Sequence, residues 1–446
     1  MYVVNKEKVR SYMNKKGYNT QQELADDLEI SKNQLSILLS SKYNPVKTNV
    51  LKICEKLDVK FDDIISEQLE LSLDLDQGIA NNVKKIDDNF IDIRNVKPNH
   101  NYKVLELFAG AGGLALGLEK AGFETIGLVE NDNKACDTLR HNRPDWNIFE
   151  SDIEKLTDQD LVEKFNINVG ELDLLSGGYP CQAFSYAGKK RGLQDARGTL
   201  FYHYAMFVEK LKPKMFLAEN VKGLVNHDNG NTLDTMLKTF SDIGYQVSYK
   251  VLKALDYDVA QKRERIVIIG MRNDLANQNQ DLKILFPNPF GYHLSLKDVL
   301  KNVPKSGGTQ YPESKKKILE KVPPGGYWRD LPEELAKEYM GKSYYSGGGR
   351  TGMARRLSWD EPSLTLTCSP AQKQTERCHP EETRPFTVRE YARIQSFPDG
   401  WEFNCSIGNA YKQIGNAVPV NMAKAIGLSI ISVLNQLPYN TKEGQL

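Results

Sequence analysis

The sequence predicts an α/β protein: a parallel sheet with crossover helices over residues 100–271, a small all-α unit before it and an irregular region after it. Three observations predict it. Short apolar runs alternate with helical stretches from Tyr102 onward, a glycine-rich turn (Ala109-Gly-Ala-Gly-Gly113) follows the first run directly, and residues 3–66 read as short capped helices. At about 150 residues per domain, 446 residues make three domains the prior.

Composition narrows the class. Hydrophobic residues at 40% and charged residues at 26% are the balance of a globular chain, which excludes wholesale disorder and fibrous repeats. The longest apolar stretch, Ala425 to Leu434, contains Gly427 and two serines and falls short of the roughly 18 residues of a membrane span. Met1 to Arg10 carries charges where a secretory leader has its apolar core. The expectation is a soluble cytoplasmic protein with no membrane partner. Lys and Arg total 59 against 58 Asp and Glu, which excludes a uniformly basic coat but leaves local basic patches open. The six cysteines form no CxxC pair and no metal-ligand spacing, so reduced thiols and no metal are expected.

In residues 1–66, Lys6 to Lys15 reads as a helix stopped near Gly17. Thr20 caps a second over Gln21 to Leu28, and Ser31 a third over Lys32 to Ser40 with Leu35, Leu38 and Leu39 inward. Two helices so closely spaced resemble the helix-turn-helix of phage-repressor-like domains. In that reading Lys32 and Asn33, with Ser31 and Ser36, reach base edges. A helical docking module is the alternative, and 11 basic against 9 acidic residues over 3–66 make a weak electrostatic footprint. Residues 67–99, with seven acidic and four basic residues and few aromatics, read as a linker.

From Tyr102 the sheet begins. Val104 to Phe108 is a strand, the glycine turn follows, and Leu114 to Ala121 is a helix, an arrangement that lets backbone approach a ligand closely. Thr125 to Val129 is the next strand. It ends in Glu130, 20 residues after Gly110, a spacing suited to ribose hydroxyls. The pair fits a nicotinamide dinucleotide as well as S-adenosylmethionine. Asp173 to Leu175 is a further strand, followed by Gly177-Gly-Tyr-Pro-Cys-Gln182; Met215 to Ala218 is another, followed by Glu219-Asn-Val221. A cysteine and a carboxylate at the ends of two strands of one sheet can converge on one substrate.

These residues resemble the DNA cytosine-5 methyltransferases, in family order, over roughly residues 102–435. Leu107-Phe-Ala-Gly-Ala-Gly-Gly113, Glu130, Asp152 with Ile153, Gly178-Tyr-Pro-Cys-Gln-Ala-Phe-Ser185, Arg197-Gly-Thr-Leu-Phe201, Glu219-Asn-Val221, Gln261-Lys-Arg-Glu-Arg265, Arg384 to Asp399 and Gln413-Ile-Gly-Asn-Ala417 match its motifs. The resemblance implies a Rossmann-like S-adenosylmethionine-dependent methyltransferase domain. It implies cofactor contacts from Phe108, Ala109, Gly110, Gly112, Gly113, Glu130, Asp152, Ile153, Pro180, Leu200 and Asn416. Cys181 is the implied nucleophile toward carbon 6 of cytosine, which makes carbon 5 nucleophilic. The resemblance also implies that Glu219 donates a hydrogen bond to the ring, that Arg265 contacts the base carbonyl, and that Arg263 completes the catalytic set nearby on the pocket or backbone. The base must leave the duplex, with Gln182 and Ser185 on the DNA and the loop Ser185 to Leu193 closing as a phosphate clamp.

Residues 272–383 lose the alternating order and are rich in Gly, Pro, Lys and Arg, with 17 basic and 14 acidic residues over 271–383. The family places its target-recognition region here, and Arg350, Arg355, Arg356, Gln372, Lys373, Gln374 and Arg377 carry donors for guanine and phosphate. Residues 384–446 hold the last motifs, with Asn416 at the start of a helix over Ala417 to Leu434 that returns to the catalytic domain. The resemblance implies duplex DNA as substrate, a cognate restriction endonuclease as functional partner, and an N-terminal domain that binds operator DNA as a dimer to regulate its own promoter. Two other functions fit parts of the sequence. A tRNA cytosine-5 methyltransferase shares the motifs, but its Cys-Phe-Thr signature is absent; a regulator with a retired catalytic domain sits poorly with Cys181, Glu219 and Asn416 all retained.

Overall fold

The computed structural model describes residues 2–28, 30, 35–36, 38–39, 47–59, 61–67, 89–180, 199–278, 281–345 and 350–438. In the N-terminal unit, β1 (Tyr2–Val4) leads into α1 (Lys6–Lys15), whose N-cap Asn5 accepts from the Glu7 and Lys8 N–H groups. Gly17, at φ 87°, ends that turn of chain. Thr20 caps α2 (Gln21–Asp27) by accepting from the Glu23 N–H, and α3 spans Lys47–Leu57. The apolar sides meet in one core that includes Val9, Leu24, Leu35, Leu38, Leu39, Ile53 and Ile64. Lys32 and Asn33, with the Ser31 cap, lie outside the described residues. A short ribbon closes the unit, β1 pairing antiparallel with β2 (Ile65–Glu67).

The catalytic sheet has seven strands. In chain order they are β3 (Tyr102–Leu107), β4 (Phe123–Glu130), β5 (Ile148–Glu150), β6 (Leu174–Gly177), β7 (Met215–Val221), β8 (Tyr245–Lys253) and β9 (Glu264–Arg272). Their spatial order is β5-β4-β3-β6-β7-β9-β8. The pairs from β5 to β7 are parallel, and β9 runs antiparallel to both β7 and β8. The order reverses between β3 and β6, and a crevice opens at such a switch point outside the carboxyl ends of the strands. β7 and β9 form a seven-residue ladder in which Glu219 pairs with Val267, two residues from Arg265.

Helices cover both faces. α4 (Gly113–Ala121), α5 (Asn133–Asn142), α6 (Leu200–Leu211) and α7 (Asn231–Asp242) connect the strands. α8 (Val388–Ile394), α9 (Ile407–Asn416) and α10 (Val420–Leu434) follow in the last part of the chain. α10 returns onto α4 at very short range: a Cβ on Gly117 would lie 2.3 Å from the Ala423 Cβ, and one on Gly427 would lie 2.8 Å from the Ala121 Cβ. Ile407–Leu434 is long and apolar enough to cross a membrane by length and composition alone, but 78% of its most apolar window is buried inside this fold. The helix expected over Ala417 to Leu434 begins instead at Val420, with Pro419 as its N-cap. Asn416 therefore ends the preceding helix rather than opening this one.

Two boundaries shift. The pattern assigns 67–99 to a linker, yet Phe90 and Ile91 pair with Phe286 and Pro287, and Ile93 is buried in the sheet's core. Apolar Phe90, Ile91 and Ile93 supply the burial that a solvated linker lacks. Likewise Ala276, Leu282, Ile284 and Phe286, assigned to the target-recognition region, pack in that same core. The separate core of the irregular region runs from Tyr311 to Cys378 around Leu319, Trp328, Tyr339 and Met353.

Candidate active site

The crevice is a cavity of about 590 Å³ at the β3/β6 switch point. Its walls include Phe108, Ala109, Gly110, Gly113, Glu130, Asp152, Ile153, Pro180, Leu200, Glu219, Arg263, Arg265 and Asn416. Among the described residues expected to hold the cofactor or carry the catalytic step, Gly112 alone is absent from this wall. A Cβ there would meet Leu139 at 2.7 Å and Trp401 at 3.0 Å, so its glycine serves packing. Cys181, Gln182 and Ser185, with the loop to Leu193 and Arg197, lie outside the described residues.

The glycine turn is built by backbone conformation. Phe108 at φ 58°, Gly110 at φ 54° and Gly112 at φ 83° all occupy the left-handed region, and Phe108 is the one residue there that takes it against its side chain. A Cβ on Gly113 would come 2.4 Å from the Val418 carbonyl oxygen. Glu130, buried at the end of β4, holds this turn. Its Oε2 accepts from the Gly110 N–H at 2.7 Å, and its Oε1 accepts from the Asn131 and Asp132 N–H groups at 2.9 and 2.8 Å. Asp152 caps the short helix Ile153–Thr157 through the Glu154 N–H at 3.0 Å.

On the opposite wall, Glu219 near the end of β7 faces the turn after β6. A Cβ on Gly177 would lie 2.8 Å from the Leu107 carbonyl oxygen, which excludes a side chain, and one on Gly178 would lie 2.8 Å from Glu219 Oε2 and would have to displace that carboxyl. Asn220 ties the same turn down: its Nδ2 donates to the Tyr179 carbonyl at 2.9 Å. Arg265 Nε contacts Glu219 Oε1 at 2.7 Å, while the neighbouring Glu264 pairs with Lys222 at 2.9 Å. Burial pushes the Glu219 carboxyl above its ordinary value, against the opposing pull of Arg265 and Arg263.

Arg263 is spent on architecture. It is fully buried, with Nη1 donating to the Leu366 carbonyl at 3.3 Å and Nη2 to the Gly415 carbonyl at 3.0 Å. Burial beside Arg265 lowers its basicity. Gln261 continues the seam: its Nε2 donates to Gln395 Oε1 at 2.7 Å, and its Oε1 accepts from the Leu366 N–H at 2.9 Å. Gln395 in turn donates to the carbonyls of Ile414 and Ala417. Asn416 accepts from the Cys368 thiol at 3.0 Å at the cavity's edge.

Two further residues carry the site without having been assigned a role from sequence. Asn220 is one. Glu106 is the other: in mid-β3, fully buried, it accepts from Ser176 Oγ at 3.4 Å and from the Ala115 N–H of α4. Burial drives its carboxyl well above the ordinary range. An acid inside an otherwise apolar strand was its visible signal.

A mixed sheet whose ligand crevice opens at the strand-order reversal, with a glycine turn on one wall and a buried strand-end carboxyl on the other, defines an α/β enzyme of the nucleotide-cofactor type. Residues 102–432 match the family described as C-5 cytosine-specific DNA methylase, and residues 8–68 match the Cro/C1-type HTH DNA-binding domain. The chain is 56% identical over 433 residues to the Type II methyltransferase M.Sau96I of Staphylococcus aureus, covering 97% of this chain and 99% of that protein. It is 57% identical to the Type II methyltransferase M.PspPI of a Psychrobacter strain, over 78% and 83% of the two chains. A solved structure of a candidate DNA modification methyltransferase encoded within an Escherichia coli prophage aligns at TM-score 0.54 and 26% identity, covering 75% of this chain and all of that one. The protein belongs to the C-5 cytosine-specific DNA methylases: it is a DNA (cytosine-5-)-methyltransferase with an N-terminal helix-turn-helix domain.

Proposed function

We propose that this enzyme methylates carbon 5 of a flipped-out cytosine in one duplex DNA sequence through a covalent adduct with Cys181, and that it protects host DNA within a Type II restriction–modification pair in the cytoplasm. The observation that carries the reading is the approach of Glu219 to the turn Gly178 to Pro180. Cys181 is the next residue in sequence after Pro180, and its thiol is the proposed partner of the Glu219 carboxyl on one base.

The thiolate adds to carbon 6 and turns the ring into an enamine whose carbon 5 is the nucleophile. After methyl transfer a base takes the carbon 5 proton and the thiolate leaves carbon 6, which restores the ring double bond and frees Cys181. Glu219, whose carboxyl burial pushes above its ordinary value, is the proposed hydrogen-bond donor to ring nitrogen 3 as negative charge develops. Arg265 holds Glu219 and is the proposed contact to the base carbonyl; Arg263 is a positioning residue that fixes β9 to the segments carrying Leu366 and Gly415. Enzymes of this family draw the methyl from S-adenosylmethionine, which when bound supplies it as an activated sulfonium. The residues present fit it: Glu130 retains acceptor capacity on Oε2 for a ribose hydroxyl, and Gly110 leaves open space beside it. The adenine would rest by Asp152 and Ile153, and the methionine end by Asn416 and Leu200.

Incubation with duplex DNA and labelled S-adenosylmethionine tests the activity. Glu130→Ala should weaken cofactor affinity at least about tenfold by calorimetry, as loss of a charge-assisted bond requires; unchanged affinity would move the ribose elsewhere. Residues 272–383 are proposed to set the sequence, with bisulfite sequencing of host DNA as the measurement. The N-terminal domain is proposed to repress its own promoter as a dimer on a palindrome, since one such domain makes few phosphate contacts.

A further inference from the structure

Seven polar side chains of the irregular region carry donors for DNA, and the structure divides them. Arg356 spends its guanidinium on the carbonyls of Val322, Leu319 and His379 and on Thr383 Oγ1. Arg377 is spent on the carbonyls of Thr365 and Glu376. Lys373 donates to the Tyr339 carbonyl and lies over that ring, and Arg355 is half-buried, its guanidinium over Tyr327 at 5.8 Å and its buried Nε without a hydrogen-bond partner among the described residues. Three remain. Arg350 and Gln374 make no side-chain hydrogen bond or ion pair among the described residues, and the one such contact of Gln372 is a 3.5 Å approach of Thr375 Oγ1.

These three are exposed and line one notch of about 370 Å³, together with Ser343, Met353 and Lys373. Its floor is rigid. Gly352 packs so closely on the second loop that a Cβ would lie 2.4 Å from the Gln374 carbonyl oxygen, and the Glu376 N–H donates to the Gly352 carbonyl at 2.9 Å. Beneath them Glu376 is fully buried, paired with Lys315 and accepting from the Tyr339 hydroxyl at 2.5 Å. Arg350 itself is held at φ 44°, a conformation that a non-glycine residue adopts under constraint.

The notch is also close to the chemistry. The Cys368 thiol touches Asn416 on the catalytic cavity, and Gln372 follows four residues later. Four residues span at most about 14 Å, or about four base-pair steps of 3.4 Å. A guanidinium fork suits guanine O6 and N7, and a carboxamide suits adenine N6 and N7. We propose that Arg350, Gln372 and Gln374 are the base-reading residues of this enzyme, with Arg350 reading a guanine of the target sequence. The inference rests on the DNA-methylating activity proposed above and adds which residues select the sequence.

The test uses the full chain, the duplex identified by bisulfite sequencing, and a set of duplexes carrying every single base-pair change in it. Arg350→Ala should lower kcat/KM on the target by about 5- to 150-fold, the range of one bidentate pair. It should flatten the preference at one G·C pair and leave the salt dependence of binding unchanged. Arg350→Lys, which keeps the charge but loses the fork, should lose the same discrimination while retaining the wild-type melting temperature. Gln374→Ala should relax a different position. A uniform loss across all duplexes with the salt slope reduced by about 1 would make Arg350 a phosphate contact and overturn the proposal. So would an unchanged preference in Arg350→Lys. If the wild-type chain methylates no duplex at all, the proposed function itself fails, a result separate from any difference between variants.

Discussion

At the scale of single residues, Glu219 sits where burial and cations pull its proton in opposite directions, and burial prevails. A proton donor of this kind fixes the sign of the pH dependence. Activity attributable to Glu219 should be present below its raised value and fall as pH rises through it. Glu219→Gln, which cannot supply the proton to the ring nitrogen in the same way, should lose on the order of 10² in rate while binding cofactor normally. Full turnover in that variant would remove Glu219 from the chemistry. Glu106 makes a second, independent titration. Its folded value is raised well above the ordinary 4.3 or so of a glutamate, so its contribution to stability is fully present below that value and declines as pH rises through the folded one. Glu106→Gln should therefore gain on the wild type in melting temperature as pH is raised from 5 to 9. Parallel melting curves over that range would contradict the raised value. The placement of Glu219 near a strand end on the cavity wall was legible from its Glu-Asn-Val setting. The roles of Arg263 and Gln261 were not, because their partners Leu366, Gln395 and Gly415 lie more than a hundred residues away in sequence.

At the scale of elements, local chemistry spoke clearly where it is self-contained. Lys6 to Lys15 and the Thr20 cap of α2 appear as the sequence indicates, because caps and stop signals act within a few residues. Strands β3, β4, β6 and β7 were visible as apolar runs, each a residue or more longer in the structure. The ribbon β1–β2 was not visible, since it joins residues about 60 apart and neither three-residue strand announces itself. The break between α9 and α10 is a subtler case: apolar residues continue through it, and Pro419 sets the start of α10. Packing between α4 and the α9–α10 connection depends on a missing side chain. Gly113→Ala should destabilise the protein by about 1–3 kcal/mol, the cost of overpacking, because the new Cβ meets the Val418 carbonyl oxygen rather than a side chain that can turn away. Urea denaturation measures it, and a stability equal to wild type would show that the connection can shift.

At the scale of the molecule, the division into a helical N-terminal unit, a sheet domain and an irregular region was legible from changes of pattern, but its boundaries were not. Phe90, Ile93 and Phe286 join the sheet's core across the seams that composition drew, because burial is decided by partners that sequence order does not reveal. The catalytic family match spans 102–432 without the N-terminal unit. Deleting residues 1–66 should accordingly spare methylation and abolish binding to the upstream promoter by gel shift; loss of methylation with promoter binding intact would make the unit part of substrate engagement. The central claim is that Cys181 attacks a flipped cytosine beside Glu219, and a suicide substrate tests it most directly. Duplex DNA carrying 5-fluorocytosine at the target position, incubated with S-adenosylmethionine and the full chain, should give an adduct that survives denaturing electrophoresis, and Cys181→Ala should give none. An equal adduct with Cys181→Ala would contradict the account.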